Sequence, residues 1–228
     1  MKISTEFSKY ATHYGTYNII QNQVVQKLLS LVKNSPLNIL DLGCGEGAIC
    51  KQIEWEYQHF TGIDFAPNML SLHPKSKNIE TLFADFNQAE IFDKLKEKKF
   101  DAIFSASALQ WADDLESVLK HIKNLESPIA LAIFSANTFR TLHKTAGIDG
   151  VLRTNEEIVE IAKRYFDVDV EIVEYQLSFL SVRDMFRYIK KSGVSGSRKV
   201  LSYKKTKELM KNYPLDYLEF EVVFLISR

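Results

Sequence analysis

Three carboxylates stand where apolar runs end: Asp41 after Asn38-Ile39-Leu40, Asp64 after Phe60-Thr61-Gly62-Ile63, and Asp85 after Leu82-Phe83-Ala84. Behind the first come three glycines at every second position, Gly43, Gly45 and Gly47. Such a turn lets backbone approach a ligand closely, because no Cβ stands in the way. The run Leu37 to Leu42 predicts a buried parallel strand, and Glu46 to Glu54 the helix after it. Strand, glycine turn and helix in this order read as a nucleotide site. A dinucleotide fingerprint spaces its glycines G-x-G-x-x-G. Here Gly47 comes one residue early, and an acid precedes the first glycine. A carboxylate at that place repels a pyrophosphate and attracts a ligand that carries an amine cation.

The pattern Asp41-x-Gly43-x-Gly45-x-Gly47 resembles the first motif of the class I methyltransferases that use S-adenosylmethionine (SAM). SAM has an ammonium, a sulfonium and no phosphate, which suits the acid. Asp64 lies about 20 residues beyond the turn, the place in a βαβ unit that reaches ribose hydroxyls. Pro67 opens the next helix, where its missing N–H costs nothing. Met69 offers a soft apolar surface to an adenine. Asp85 can accept from the exocyclic amine of adenine, with Phe86 beside the ring. Any one of these acids is more often a helix cap or turn residue, but three successive strand ends finishing in Asp read as a site. The cofactor contacts expected are Asp41, Gly43, Cys44, Gly45, Asp64, Met69, Asp85, Phe86 and Ser105, the last at the exit of a fourth strand over Phe100 to Ser105.

The elements that must hold these residues alternate. Pro128 to Phe134 is a fifth strand, and Asp113 to Leu125 the helix before it. Five strands alternating with helices predict a doubly wound, Rossmann-like α/β sheet. From Ser135 the alternation breaks. Thr138–Thr145 and Asn155–Tyr165 read as helices, the second with a Thr154/Glu157 capped start. Val168 to Leu180 alternates apolar and polar as a strand does, and Tyr217 to Ile226 is a last strand, for seven in a mostly parallel sheet with helices on both faces. Residues 181–212 read as a helical cap inserted before that strand, and Ser192 to Ser197 as a loop within it. Ahead of the core, Ile19 to Val32 is an amphipathic helix with Ile20, Val24, Leu28 and Leu31 inward. Phe7, Tyr10, Tyr14 and Tyr17 share one helical face before it, as a docking stripe or as a lid over the cofactor. No repeat or second domain boundary interrupts the 228 residues, so one domain is expected.

Composition limits the partners. Lys plus Arg and Asp plus Glu are both 29, so bulk charge makes no case for nucleic acid. The two cysteines, Cys44 and Cys50, fit neither C-x-x-C nor a zinc spacing, and no metal site is expected. They read as small packing residues in a reducing cytosol. No apolar run approaches ~18 residues and no signal-peptide core opens the chain. A soluble, cytoplasmic monomer is the expectation.

A sulfonium methyl is transferred by in-line displacement, so alignment and water exclusion are the main demands. An amine or hydroxyl acceptor needs a base; a carboxylic acid, ionised above a pKa of about 4, needs none. The Ser107-Ala108-Leu109-Gln110-Trp111 loop carries no base signature and no Asn-Pro-Pro-Tyr amide clamp. That favours a small-molecule O- or C-acceptor and no catalytic base, with His13, His121 and His143 as the candidates otherwise. Trp111 could wall the transfer cleft or simply pack.

A closer family resemblance spans the chain. Phe7-x6-Tyr14-x6-Gln21 with His13, the Gln110-Trp111 segment, Phe134-Ser135 with Leu142-His143, Arg187-x2-Lys190-x2-Gly193, and Tyr213-Pro214-Leu215-x-Tyr217 are similar to segments of the malonyl-[acyl-carrier protein] O-methyltransferases of biotin synthesis. The resemblance implies methylation of the free malonyl carboxylate on an acidic acyl-carrier protein. An anionic acceptor asks for a cation, and Arg grips a carboxylate bidentately. Arg140, Arg187 and Lys190 are the candidates, with Tyr14 closing the pocket. The basic run Arg183, Arg187, Lys190, Lys191, Arg198, Lys199, Lys204, Lys205 and Lys207 would then dock the carrier. The alternatives are another small-molecule methyltransferase on the same core, and a SAM-binding subunit without activity of its own.

Overall fold

The computed structural model describes residues 18–191 and 202–227, the side chains at 190 and 191 aside. The aromatic stretch before residue 18 and the loop expected at 192–197 lie outside the described residues. Seven strands form one sheet in the order β3-β2-β1-β4-β5-β7-β6. They are β1 (Asn38–Leu42), β2 (His59–Asp64), β3 (Ile79–Phe83), β4 (Ala102–Ala106), β5 (Ile129–Phe134), β6 (Val168–Ser178) and β7 (Tyr217–Ser227). The first five pair in parallel, and β7 runs antiparallel between β5 and β6. The chain winds from β1 out to β3, then returns to build β4 and β5 on the other side. That reversal leaves a crevice beyond the carboxyl ends of β1 and β4.

Strand residues alternate between two helical layers, as the pleat requires. Leu40, Leu42, Ile63, Ile103, Leu131 and Ile133 pack with α4 (Ala89–Leu95), α5 (Leu115–Lys123) and α7 (Asn155–Lys163). Ile39, Phe60, Ala102, Phe104, Ala132 and Phe134 pack with α1 (Ile19–Leu31) on the other face. The same layer takes α6 (Arg140–Ala146) and, between β6 and β7, α8 (Val182–Lys191) and α9 (Tyr203–Asn212). Met185, Tyr188 and Leu209 bury themselves among Phe139, Leu142 and Phe220, so the described cap helices are part of this layer's core. Inward on α1 are Ile20, Val24 and Leu28, while Leu31 is only half-buried.

Boundaries move where backbone geometry intervenes. The helix expected over 46–54 forms only as α2 (Ala48–Gln52), because Gly47 before it holds a left-handed φ of 83°. The helix expected from Thr138 starts at Arg140, because Phe139 sits at φ 60°. Leu37 stays outside β1 and is exposed. The Thr154/Glu157 capping box forms as expected. No helix among the described residues is long and apolar enough to cross a membrane.

Candidate functional site

The glycine turn is fastened to β2. The N–H groups of Gly43 and Cys44 both donate to the Ile63 carbonyl, at 2.8 and 2.9 Å. Gly45 N–H donates to Asp64 Oδ2 at 2.9 Å, and Ala66 N–H to Asp64 Oδ1 at 2.8 Å. Asp64 therefore shapes the turn and keeps lone pairs for a ligand, since a carboxylate offers about four acceptor sites. A Cβ on Gly43 would stand 2.3 Å from Ala108 Cβ, so only glycine fits there at its φ of 74°.

Over this turn opens a cleft of about 730 Å³, its mouth included. It is lined by Asp64 and Phe65 at the end of β2, Met69 on the short α3 (Pro67–Leu70), Phe86 beyond β3, and Ala106, Ser107, Ala108 and Trp111 at the end of β4 and beyond it. Gly43, Cys44, Gly45, Glu46 and Ala48 line it from the glycine turn and the start of α2. Asn18, just before α1, and Gln21, Asn22 and Val25 in its first turns also line it. Of the residues expected from the sequence, Gly43, Cys44, Gly45, Asp64, Met69, Phe86 and Trp111 come together here.

Others lie elsewhere. Asp41 is 2% exposed within β1, behind the turn and outside the lining. Asp85, two residues beyond β3, accepts from the N–H and side-chain amide of Asn87, both at 2.9 Å, and closes its own turn. Ser105 donates its hydroxyl to the Leu42 carbonyl at 2.7 Å, a tether between β4 and β1. Its side chain is buried in the sheet, and the cleft falls instead on Ala106 and Ser107. Arg140 is not in the cleft: it pairs with Glu174 at 2.6 Å and with the buried Glu219 at 3.2 Å. Arg187 pairs with Asp184 at 2.6 Å on the outside of α8. Tyr14 and the Lys190 side chain lie outside the described residues. The free Cys44 and Cys50 are both buried, and burial with the charges of Asp41 and Asp64 pushes the Cys44 thiol well up, away from reactivity.

Sequence reasoning missed the polar lining from α1. Asn18, Gln21, Val25 and Leu28 fall at helical spacing on the buried stripe. Amides continuing an apolar stripe were the available signal. Asn18 donates to Glu46 at 3.4 Å.

The unpaired atoms test whether SAM fits. Asp41 Oδ1, Asn18 Oδ1, Gln21 Oε1 and Ser107 Oγ are buried with no hydrogen-bond partner. Burial, and then the neighbouring charge of Asp64, push the Asp41 carboxyl well above the usual range. Asp64 is raised by burial too, against the bonds from Ala66, Gly45 and Phe65. Most of these orphaned atoms are acceptors, in a field short of positive charge. A ligand bringing an ammonium and hydroxyl donors would supply what the lining acceptors lack and would answer Asp41, behind the turn, through its charge; a phosphate would not.

Comparison with known proteins agrees. Residues 40–134 match the family model described as "Methyltransferase domain". A malonyl-[acyl-carrier protein] O-methyltransferase of Bacillus cereus is 25% identical over 86% of this chain and 81% of its own length. One from Acetivibrio thermocellus is 28% identical over 92% and 85%. Among solved structures, Haemonchus contortus phosphoethanolamine N-methyltransferase 2 in complex with SAM superposes with a TM-score of 0.58 at 16% identity. That match covers 97% of this chain and 57% of the other.

Proposed function

Taking as premise that this chain is a SAM-dependent methyltransferase, we propose that it methylates the free carboxylate of a malonyl thioester carried by an acyl-carrier protein. When bound, SAM supplies a methyl carbon that accepts an acceptor lone pair while the carbon–sulfur electron pair returns to sulfur, leaving a neutral thioether and a neutral ester with no proton moved. The chain's own work is placement. Asp64 and the glycine turn hold the adenosine side, and the charge of Asp41 favours the ammonium. Phe65, Phe86 and Trp111 keep water from the reacting centre.

The observation that carries this reading is the lining itself: the described cleft residues include no His, Lys or Arg, and their two acids are engaged, Asp64 by the N–H groups of Gly45 and Ala66 and Glu46 by Asn18 and Lys51. An acceptor already ionised near neutral pH needs no base there, unlike an amine or phenol. The named relatives support the same acceptor. Esterification masks a charge, which lets chain elongation treat the malonyl unit as a primer. For the carrier, Arg183, Arg187, Lys204, Lys205 and Lys207 are exposed on α8 and α9 and offer an acidic partner a basic face. Lys190, Lys191, Arg198 and Lys199 of the same run lie outside the described side chains. The test is release of S-adenosylhomocysteine with malonyl-carrier protein, against succinyl- and acetyl-carrier controls. Turnover with malonyl and none with acetyl is expected; a phenol or amine turned over in its place would overturn the reading.

A further inference from the structure

Ser107 is the first residue after β4, and it adopts a φ of 61°. Among the described residues only Glu126 and Phe139 share a positive φ without being glycine, and neither lines the cleft. A left-handed serine is strained, and such strain persists only where the surroundings over-determine it. Here they do. The Ser107 N–H donates to the Ala132 carbonyl at 2.9 Å, and the Ser107 carbonyl accepts from Gln110 Nε2 at 2.7 Å. Ser107 so pinned lines the cleft, and its Oγ is buried with no partner. A buried hydroxyl without a partner is costly unless a ligand completes it.

Sheet order puts the ends of β2 and β4 on opposite sides of the glycine turn that follows β1. With adenosine against Asp64 and that turn, the methyl and its acceptor fall toward Ala106, Ser107 and Trp111 at the end of β4 and beyond it. Among the described lining residues beyond β4, Ser107 carries the aliphatic hydroxyl, and no Lys or Arg is among them. We propose that Ser107 donates its hydroxyl to one oxygen of the acceptor carboxylate and so aims the other oxygen at the methyl carbon. This rests on the carboxylate reading above. A guanidinium fork would engage both oxygens and hold the anion in its ground state. A single hydroxyl engages one oxygen and leaves the second lone pair free for in-line attack.

The test compares Ser107→Gly, which removes the hydroxyl and relieves the backbone, with Ser107→Ala, which removes the hydroxyl alone. Both should raise the KM for malonyl-carrier protein by about tenfold or more, the loss of one hydrogen bond to a charged group. Calorimetric affinity for SAM should stay at the wild-type value, and binding of malonyl-carrier to the S-adenosylhomocysteine complex should weaken in step with KM. Ser107→Asn keeps a donor and tolerates left-handed backbone, and should recover part of the loss. Wild-type KM in Ser107→Gly, or a matching loss of SAM affinity, would overturn the assignment. A wild-type enzyme that ignores malonyl-carrier yet methylates an uncharged phenol would sink the carboxylate reading itself, a different result.

Discussion

Two pairs of buried acids lie near the carboxyl edge of this sheet, and they are treated in opposite ways. Glu219 and Glu221 on β7 are fully answered from within. Glu221 accepts from the Ser135 hydroxyl and twice from the Asn137 amide, at 3.1 and 3.0 Å. Glu219 accepts from Thr141 N–H at 3.1 Å, from its hydroxyl at 2.7 Å and from Arg140 Nε at 3.2 Å. On β1 and β2, Asp64 is answered by backbone alone, and Asp41 keeps an oxygen with no partner. Burying a polar group without a partner costs more than any typical hydrogen bond returns. A satisfied acid stabilises the fold, whereas an unsatisfied one costs stability, which a ligand that answered it would return.

The sharpest way to break this contrast is to remove Glu221. Glu221→Ala strands the buried Ser135 hydroxyl, while the exposed Asn137 amide turns to water, and should cost roughly 1–3 kcal/mol in urea unfolding. Its SAM affinity should stay intact, and a loss of binding without a loss of stability would erase the distinction. Asp41→Asn should do the reverse. Removing a carboxyl whose ionised form burial disfavours should stabilise the ligand-free protein at neutral pH, read as a raised unfolding midpoint.

Proton linkage sharpens the same point. Folding raises the Asp41 and Asp64 carboxyls, so the folded state holds protons that the unfolded state has released. Their contribution is fully present below the unfolded pKa of about 3.9 and is lost as pH rises through the folded values. The stability advantage of Asp41→Asn over wild type should therefore widen from pH 4 toward neutrality, and a constant gap would contradict it. The smallest effect belongs to Arg140→Met. Thr141 still answers Glu219, and a half-exposed pair is worth little, so about 1 kcal/mol of stability should go. The acceptor KM should not change; a large rise would return Arg140 to the substrate site.

Much of the answered half was hidden in the sequence, and much of the unanswered half was open. Asp41 and the glycines are local, and their spacing implies a turn at a strand end whatever surrounds it. Arg140 looked free because its partners, Glu174 and Glu219, lie 34 and 79 residues further along. No local pattern brings β6 and β7 beside α6. Ser105 and Ser107 read alike as small polar residues, yet the pleat turns Ser105 into the sheet and a left-handed kink turns Ser107 into the cleft. Nothing in a serine announces positive φ. Asp85 is the converse: a strand-end acid outside the cleft lining, one of whose oxygens its own Asn87 takes.

Titration calorimetry of SAM against wild type and Asp41→Asn at neutral pH probes the reserved carboxylate most directly. We expect the variant to bind about tenfold or more weakly, although it unfolds at a higher temperature. Equal affinity in the two proteins would mean that the unpaired acid under the glycine turn does not serve the ligand.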